Sequence, residues 1–180
     1  MDKSELEAIL LQHDISFQKW GTGKAKTVDD LLEEINSGEA EVKSREGKLL
    51  RTTKVVSITV TYWDGNNDLI LVEDRQVFSD GRERKRVLDA SLGEKMFVNE
   101  VPEEAARRAL KEELCIIDVE VVSIGTKFRG PEMSLSYPGL ETLYELVQFS
   151  AKLPTSLFRP EGYMEDDGKK KTYFVWQPRG

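Results

Sequence analysis

Length, composition and charge indicate a single-domain globular protein. The 180 residues are 39% hydrophobic and 33% charged, an ordinary balance for a soluble fold with one core. Cys115 is the only cysteine, so an intrachain disulfide is excluded, and no apolar run approaches the roughly 20 residues of a membrane span. The net charge of −7 disfavours non-specific binding of nucleic acid, which depends on neutralising phosphates. We therefore expect a cytoplasmic protein that neither enters a membrane nor binds nucleic acid non-specifically.

Two helices are predicted within the first 45 residues. Leu6, Ile9 and Leu10 have helical spacing within residues 4–12. Thr27 is a suitable N-cap for a second helix, because acidic residues fill the turn that follows it and Gly38 can end the run. We interpret residues 1–45 as an N-terminal helical extension.

From residue 50 the pattern changes from helices to strands. Strands are predicted over residues 50–63, 68–78, 84–88, 119–128, 140–153 and 171–177. The turns Asp64-Gly65 and Asp80-Gly81 join the first three strands into an antiparallel meander. The pattern predicts an α+β domain over residues 46–180.

A helix beginning at Pro102 separates the two groups of strands. Proline suits the first helical position, where its missing N–H would have no partner in any case. On a helical wheel, Ala106, Leu110, Leu114 and Ile117 fall within one arc. These four residues are predicted to face the core.

Two adjacent acids near the end of this helix differ in their predicted surroundings. Glu112 lies on the polar side near Arg108, where a solvated helix face explains it. Glu113 projects about 20° from Ala106, at the margin of the apolar arc, where a carboxylate is costly to bury without compensation. A hard divalent cation would compensate, and such ions commonly bridge to substrate phosphates.

The stretch from Glu100 to Ile116 resembles the signature of the Nudix hydrolase family, G-x5-E-x7-R-E-U-x-E-E-x-G-U, in which U is aliphatic. Seven residues separate Glu100 from Arg108, and ALKEELCI follows. The positions in register are Glu100, Arg108, Leu110, Glu112, Glu113 and Ile116. The resemblance implies a Nudix-like fold, with a mixed β-sheet packed between helices.

The resemblance also implies a role for each matched residue. In the family, the glutamates at the positions of Ala109 and Glu113 are the usual helix ligands for Mg²⁺ or Mn²⁺. The arginine matching Arg108 orients the carboxylate matching Glu112, which also approaches the metal. We therefore expect Glu112, Glu113 and Arg108 to be catalytic, and Glu112, Glu113 and Glu100 to hold the metal.

Three positions depart from the signature. Ala109 replaces the first glutamate of R-E-U-x-E-E, Glu94 stands at the first glycine position with Gly93 one residue early, and Cys115 stands at the second glycine position. Losing one carboxylate weakens the hold on the ion that metal-assisted phosphoanhydride cleavage needs. Two hypotheses remain. One is a weak or atypical divalent-metal-dependent hydrolase of a nucleoside diphosphate linked to another group. The other is an inactive Nudix-fold module that binds a nucleotide, a small ligand or a protein partner.

The segment SYPGLETLY follows the Pro102 helix and falls in the region that shapes substrate pockets in the family. Tyr137 and Glu141 are therefore expected to contact a phosphorylated small molecule or nucleotide. Glu141 and Glu145 are also candidates for a further base or ligand. The simpler interpretation places both glutamates at the outward positions of an alternating strand.

Two short basic clusters lie beside predicted turns. Their members are Arg82, Arg84, Lys85 and Arg86 in the first and Lys169, Lys170 and Lys171 in the second. Solvated hairpin tips are the simpler interpretation of both clusters. The alternative is that they steer phosphate towards a nearby cleft.

Overall fold

A computed structural model describes residues 1–97 and 99–179. Within them are three helices: α1 (Lys3–Gln12), α2 (Val28–Ser37) and α3 (Pro102–Leu114). The nine strands of the same residues are β1 (Glu41–Arg45), β2 (Lys48–Trp63), β3 (Asp68–Phe78), β4 (Glu83–Arg84), β5 (Leu92–Lys95), β6 (Val121–Met133), β7 (Glu141–Lys152), β8 (Tyr163–Asp166) and β9 (Lys170–Pro178). The predicted α+β fold class is confirmed. None of the described helices is long and apolar enough to cross a membrane.

The chain divides into two compact units. The first comprises Met1–Val55, Lys95–Glu100 and Thr126–Leu146, and the second comprises Val56–Glu94, Val101–Gly125 and Val147–Gly180. Strands β2, β5, β6 and β7 each contribute residues to both units. The predicted boundary between residues 45 and 46 stays a prediction.

The first unit is organised around α1 and α2. Each helix begins with a reciprocal capping box, Asp2 with Glu5 in α1 and Thr27 with Asp30 in α2, which satisfies two backbone N–H groups at each helix start. Gly38 ends α2 in the left-handed conformation. The core of this unit consists of Leu6, Leu10, Ile15, Trp20, Val28, Leu31, Leu49, Tyr137 and Leu140.

The second unit contains an antiparallel sheet in which β3 lies between β2 and β9, and β9 lies between β3 and β8. The short strand β4 also pairs with β3 near its end. A register irregularity between Glu73 and Arg75 interrupts the pairing of β3 with β9. Because of this bulge, Glu73 pairs with Phe174 and Gln76 pairs with Thr172, so both β3 residues face the same side of the sheet.

Helix α3 lies in the second unit and packs against β8. Its start has Pro102 at the first position, and its end has Cys115 in the left-handed conformation. Ala106, Leu110 and Leu114 are buried, as predicted. Ile117 was predicted to join them and does not, because the helix ends at Leu114; Ile117 is 57% exposed and Ile116 is buried instead.

Several strands differ from the prediction. The third strand of the meander is only Glu83–Arg84, because pairing with β3 stops at Gln76 and Val77, and Val87 is fully exposed. Strands β1, β5 and β8 were not predicted. Strand β1 lies within the residues that we had interpreted as purely helical, where its alternation of charged side chains gave no apolar pattern.

Candidate functional site

Glu112 and Glu113 occupy the last turn of α3 and point into different environments. Glu112 is exposed and accepts a hydrogen bond from Arg108 at 3.2 Å. This pairing was predicted from their spacing of four residues. Glu113 is partly buried, as its position beside the apolar arc predicted.

Glu113 lies in an excess of negative charge. Burial, together with the neighbouring carboxylates of Glu165 and Glu94, raises its pKa to about 8 against the opposing charges of Lys170 and Arg86. At neutral pH the carboxyl group therefore holds its proton, unless a positive charge is brought to it.

Arg108 connects the end of α3 to the residues before the helix. Its guanidinium lies 3.5 Å from a carboxylate oxygen of Glu94 and 3.2 Å from one of Glu112. Burial raises the pKa of Glu94 despite this pairing with Arg108. Arg108 thus pairs with both Glu112 and Glu94, and the orienting role that the resemblance implied for it stays a prediction.

Strand β3 contributes two buried polar side chains to this region. Glu73 accepts hydrogen bonds from Arg86, including one from Nε at 2.8 Å, so the guanidinium and carboxylate form a two-point ion pair. Gln76 accepts two from Arg84 through its amide oxygen, at 3.0 and 2.6 Å. Each anchored arginine is thereby held against the strand by a side chain that has little contact with solvent.

Strands β8 and β9 supply the remaining charges. Glu165 lies 3.8 Å from the ammonium of Lys170, which also pairs with Asp167 at 2.7 Å. Glu165 is paired in register with Thr172 on β9. Both Glu165 and Lys170 affect the pKa of Glu113, so this end of the sheet lies near the end of α3.

The other predicted site residues lie in the first unit. Glu100 accepts a hydrogen bond from the backbone N–H of Phe97 at 2.9 Å. Glu141 lies 3.8 Å from Lys48 and lines a cavity of about 370 Å³ together with Arg45, Glu46, Leu50, Pro131 and Leu143. Glu145 lies 3.6 Å from Lys54. The roles of Glu100 and Glu141 in binding metal or substrate stay predictions.

Tyr137 is part of the core of the first unit and is only 1% exposed. Its ring packs against Trp20, with ring centroids 5.1 Å apart, and lies under the guanidinium of Arg51. Burial, followed by the charge of Glu34, raises the pKa of its hydroxyl. Substrate contact by Tyr137 stays a prediction, but these contacts explain the residue as a packing element.

No family model and no curated protein matches the sequence. Several solved structures have a fold similar to that of this chain. A MutT/Nudix family protein from Enterococcus faecalis has a TM-score of 0.48 at 14% identity, covering 99% of this chain and 56% of that one. A MutT/Nudix family protein from Listeria innocua has a TM-score of 0.42 at 19% identity, covering 67% of this chain and 76% of that one. The Nudix domain of Shewanella oneidensis NrtR, solved with ADP-ribose, has a TM-score of 0.43 at 11% identity, covering 69% of this chain and 71% of that one.

The chain resembles Nudix-fold proteins. Arg108, Glu112 and Glu113 all belong to the second unit, and Arg108 pairs with Glu112. Ala109, at the position of the missing glutamate, is completely buried, so the helix offers no carboxylate one turn before Glu113.

The surroundings of Glu113 include acids to which the sequence analysis gave no role. Glu94 stands at a glycine position of the signature and received no role, yet Arg108 pairs with it and its carboxylate raises the pKa of Glu113. Glu165 was not considered, because it is far from the motif in sequence and belongs to a strand that was not predicted. The only signal in the sequence is that Glu165, Asp166 and Asp167 precede the lysine cluster, which was interpreted as a solvated hairpin tip.

The charges around Glu113 suit a divalent cation, but the number of grouped acidic side chains does not. A partly buried carboxyl group whose pKa is raised by two other carboxylates is the setting that a hard cation relieves. However, within residues 1–97 and 99–179 no three His, Cys, Asp or Glu side chains are grouped closely enough to hold a metal ion. The donor set therefore fits an ion held by one or two protein carboxylates, with the remaining ligands coming from substrate phosphates and water.

Proposed function

We propose that the protein is a divalent-metal-dependent hydrolase of a nucleoside diphosphate linked to another group, with weak or atypical activity. The observation that supports this proposal best is the placement of Glu113. It is a partly buried carboxyl group whose pKa is raised to about 8 by burial and by the nearby carboxylates of Glu165 and Glu94. Carboxylates gathered in this way have a net negative potential that Mg²⁺ or Mn²⁺ would neutralise.

Each residue has a defined role in this proposal. Glu113 and Glu112 hold the ion, and Arg108 fixes the carboxylate of Glu112 through their 3.2 Å hydrogen bond. The ion, when bound, polarises the phosphate and lowers the pKa of an attacking water. Because Mg²⁺ loses its water reluctantly, we expect it to bind mainly together with the substrate phosphates.

Substitution of Glu113 tests the hydrolase proposal. Purified protein is incubated with Mg²⁺ or Mn²⁺ and ADP-ribose, a nucleotide sugar or a dinucleoside diphosphate, and products are separated by chromatography. We expect release of a nucleoside monophosphate that falls to the rate without protein in Glu113→Gln. The matched control is Glu103→Gln on the same helix, whose partner is Arg107 on the exposed face. Equal rates for wild type and Glu113→Gln would contradict the proposal.

A second candidate function rests on Ala109. The buried methyl group and the absence of a three-acid group within the described residues favour a Nudix-like module that binds a nucleotide, small ligand or protein partner without turnover. Calorimetric titration distinguishes the two functions. Binding of ADP-ribose with the same affinity in the presence and absence of Mg²⁺, without product, would support the binding module.

A further inference from the structure

A cavity of about 260 Å³ lies beside the last turns of α3 in the second unit. Its lining residues lie between positions 107 and 119, on α3 and on the loop that follows the helix. On a helical wheel, Lys111 of the lining lies about 160° from Glu113, so the cavity is on a different side of α3 from Glu113 and its neighbouring acids. The hydrolase proposal assigns no role to this cavity.

Hydrogen bonds hold the loop that forms one wall of the cavity. The backbone N–H of Ile116 donates to the carbonyl oxygen of Leu110 at 3.1 Å, which ties the start of the loop to α3. The guanidinium of Arg107 donates to the carbonyl oxygen of Val119 at 2.9 Å, which ties the end of the loop to the same helix. The wall is therefore ordered before any ligand binds, so little conformational entropy is lost on binding.

Four aliphatic side chains contribute to the lining of the cavity. Leu110, Ile116 and Val119 are buried, whereas Ile117 is exposed. Small-molecule sites typically combine such an apolar lining with a few well-placed polar groups. A volume of about 260 Å³ is below the roughly 300–1,000 Å³ of sites for drug-sized compounds, so this cavity suits a smaller, aliphatic ligand.

Two side chains of opposite charge, Lys111 and Asp118, also line the cavity. Within residues 1–97 and 99–179, neither the ammonium of Lys111 nor the carboxylate of Asp118 forms an ion pair. Arg107 differs from them, because its guanidinium is paired with Glu103 at 2.8 Å. A ligand with a single charge would meet one attractive and one repulsive group in this cavity. A zwitterion that carries a carboxylate and an ammonium group on the same carbon atom complements both charges.

We propose that this cavity binds a free aliphatic α-amino acid. Lys111 binds the carboxylate of the ligand, Asp118 binds its ammonium group, and the four aliphatic residues of the lining contact its side chain. Leucine and the other branched-chain amino acids have the size and polarity that this lining requires. The inference does not rest on the hydrolase proposal, in which neither Lys111 nor Asp118 has a role.

Titration with leucine and two of its fragments tests whether both charges are used. Isocaproate is leucine without the amino group, and isoamylamine is leucine without the carboxylate. Binding is followed by the amide chemical shifts of isotope-labelled protein, because these shifts report both affinity and location. We expect leucine to shift the amides of residues 110–119 and to bind about tenfold more tightly than either fragment, since each fragment leaves one charge of the cavity unpaired. Equal affinity for leucine and isocaproate would overturn the assignment of an amino acid.

Substitution of each charged residue tests its contact with the ligand. Lys111→Gln and Asp118→Asn should each weaken leucine binding by about tenfold, because each removes a charge-assisted hydrogen bond. Asparagine tolerates the left-handed backbone at position 118, where φ is 60°, so Asp118→Asn keeps the loop conformation. Isocaproate should lose affinity in Lys111→Gln and gain affinity in Asp118→Asn, because the second substitution removes the repulsion between two carboxylates.

Two exposed charged residues that do not line the cavity provide matched controls. Glu120→Gln removes an acid two positions beyond Asp118, and Lys85→Gln removes a lysine elsewhere in the second unit. Each control should change the affinity for leucine by less than about twofold. Circular dichroism of every variant checks that the fold is retained.

The outcomes separate the amino-acid site from the hydrolase proposal. The site is overturned if millimolar leucine leaves the amides of residues 110–119 unshifted, or if the two controls weaken binding as much as Lys111→Gln and Asp118→Asn do. Glu113→Gln should bind leucine with wild-type affinity, because Glu113 lies on a different side of α3. A protein that binds leucine in this way but hydrolyses no substrate would contradict the hydrolase proposal alone.

Discussion

At the scale of single residues, Glu113 combines burial with like charge. Burial and the carboxylates of Glu165 and Glu94 all favour its protonated form, and only Lys170 and Arg86 oppose them. The unfolded chain has none of these neighbours, so there the glutamate titrates near its ordinary value of 4.5. The difference between the two states makes Glu113 a measurable contributor to the pH dependence of stability.

We predict that Glu113→Gln removes a loss of stability at alkaline pH. Between pH 4.5 and 8 the folded protein keeps a proton that the unfolded chain has released, so the free energy of unfolding falls as pH rises. The variant lacks this term and should be more stable than wild type by roughly 2–4 kcal/mol at pH 8.5, but about equal to it at pH 4.5. Urea unfolding without metal at the two pH values measures the difference.

Glu112→Gln is the control for this prediction. Its side chain is exposed and pairs only at the surface, so removal of its charge should change the unfolding free energy by less than about 1 kcal/mol at either pH. If Glu113→Gln behaves in the same way as Glu112→Gln, Glu113 ionises in the folded protein as it does in water, and the excess of negative charge around it is much weaker than described.

At the scale of elements, α3 lacks the carboxylate that position 109 would supply, and its restoration can be tested. Ala109→Glu places an acid one turn before Glu113, in a fully buried site, where an uncompensated carboxylate costs a few kcal/mol. We predict that, in the presence of a chelator, the variant has a lower melting temperature than the wild type. Addition of Mg²⁺ or Mn²⁺ should raise the melting temperature of the variant by more than that of the wild type, since the new acid adds a ligand. Differential scanning fluorimetry measures both.

Ala105→Glu gives the matched control for the restored acid. Ala105 is equally buried on the same helix, but it lies two turns from Glu113. Its glutamate should lower the melting temperature without any rescue by divalent cations. Equal rescue of both variants would mean that cations act generally on the protein, and that no ion binds between position 109 and Glu113.

Helical periodicity predicted α3 well, because the relevant contacts repeat within one turn of the chain. The Arg108–Glu112 pair and the burial of Leu110 and Leu114 all follow from local spacing. The neighbours of Glu113 on the sheet do not follow from local spacing. Glu165 reaches it through the pairing of β8 with β9, and no local pattern in a four-residue strand specifies that pairing.

At the scale of the whole molecule, the first unit depends on a buried charge that the sequence did not reveal. The carboxylate of Glu34, on α2, lies 2.7 Å from Lys26, 2.5 Å from Arg51 and 2.9 Å from Lys95. Burial alone would raise its pKa, but these three cations lower it to about 2. An apolar stripe predicted α2, whereas its buried acid required knowledge of residues brought in from β2 and β5.

We predict that Glu34→Gln destabilises the protein by roughly 3–5 kcal/mol at pH 7, because it leaves the buried Arg51 without its counter-charge. The stability that Glu34 contributes is present above about pH 4.5 and is lost as pH falls towards 2. The variant should therefore lose less stability than wild type across that interval. Asp29→Asn, which removes an exposed partner of Lys3, should cost less than about 1 kcal/mol. If Glu34→Gln and Asp29→Asn lowered the unfolding free energy equally, the described burial and pairing of Glu34 would be contradicted.

The bulge between Glu73 and Arg75 sets how many arginines β3 can anchor. In a regular strand, positions 73 and 76 would point to opposite sides, because side chains alternate. The inserted residue brings Glu73 and Gln76 to the same side. There Glu73 accepts hydrogen bonds from Arg86, and Gln76 accepts them from Arg84. The spacing of two guanidinium groups is therefore dictated by a backbone irregularity on the adjoining strand, and a shortened β3 would present one anchored arginine where this protein presents a pair.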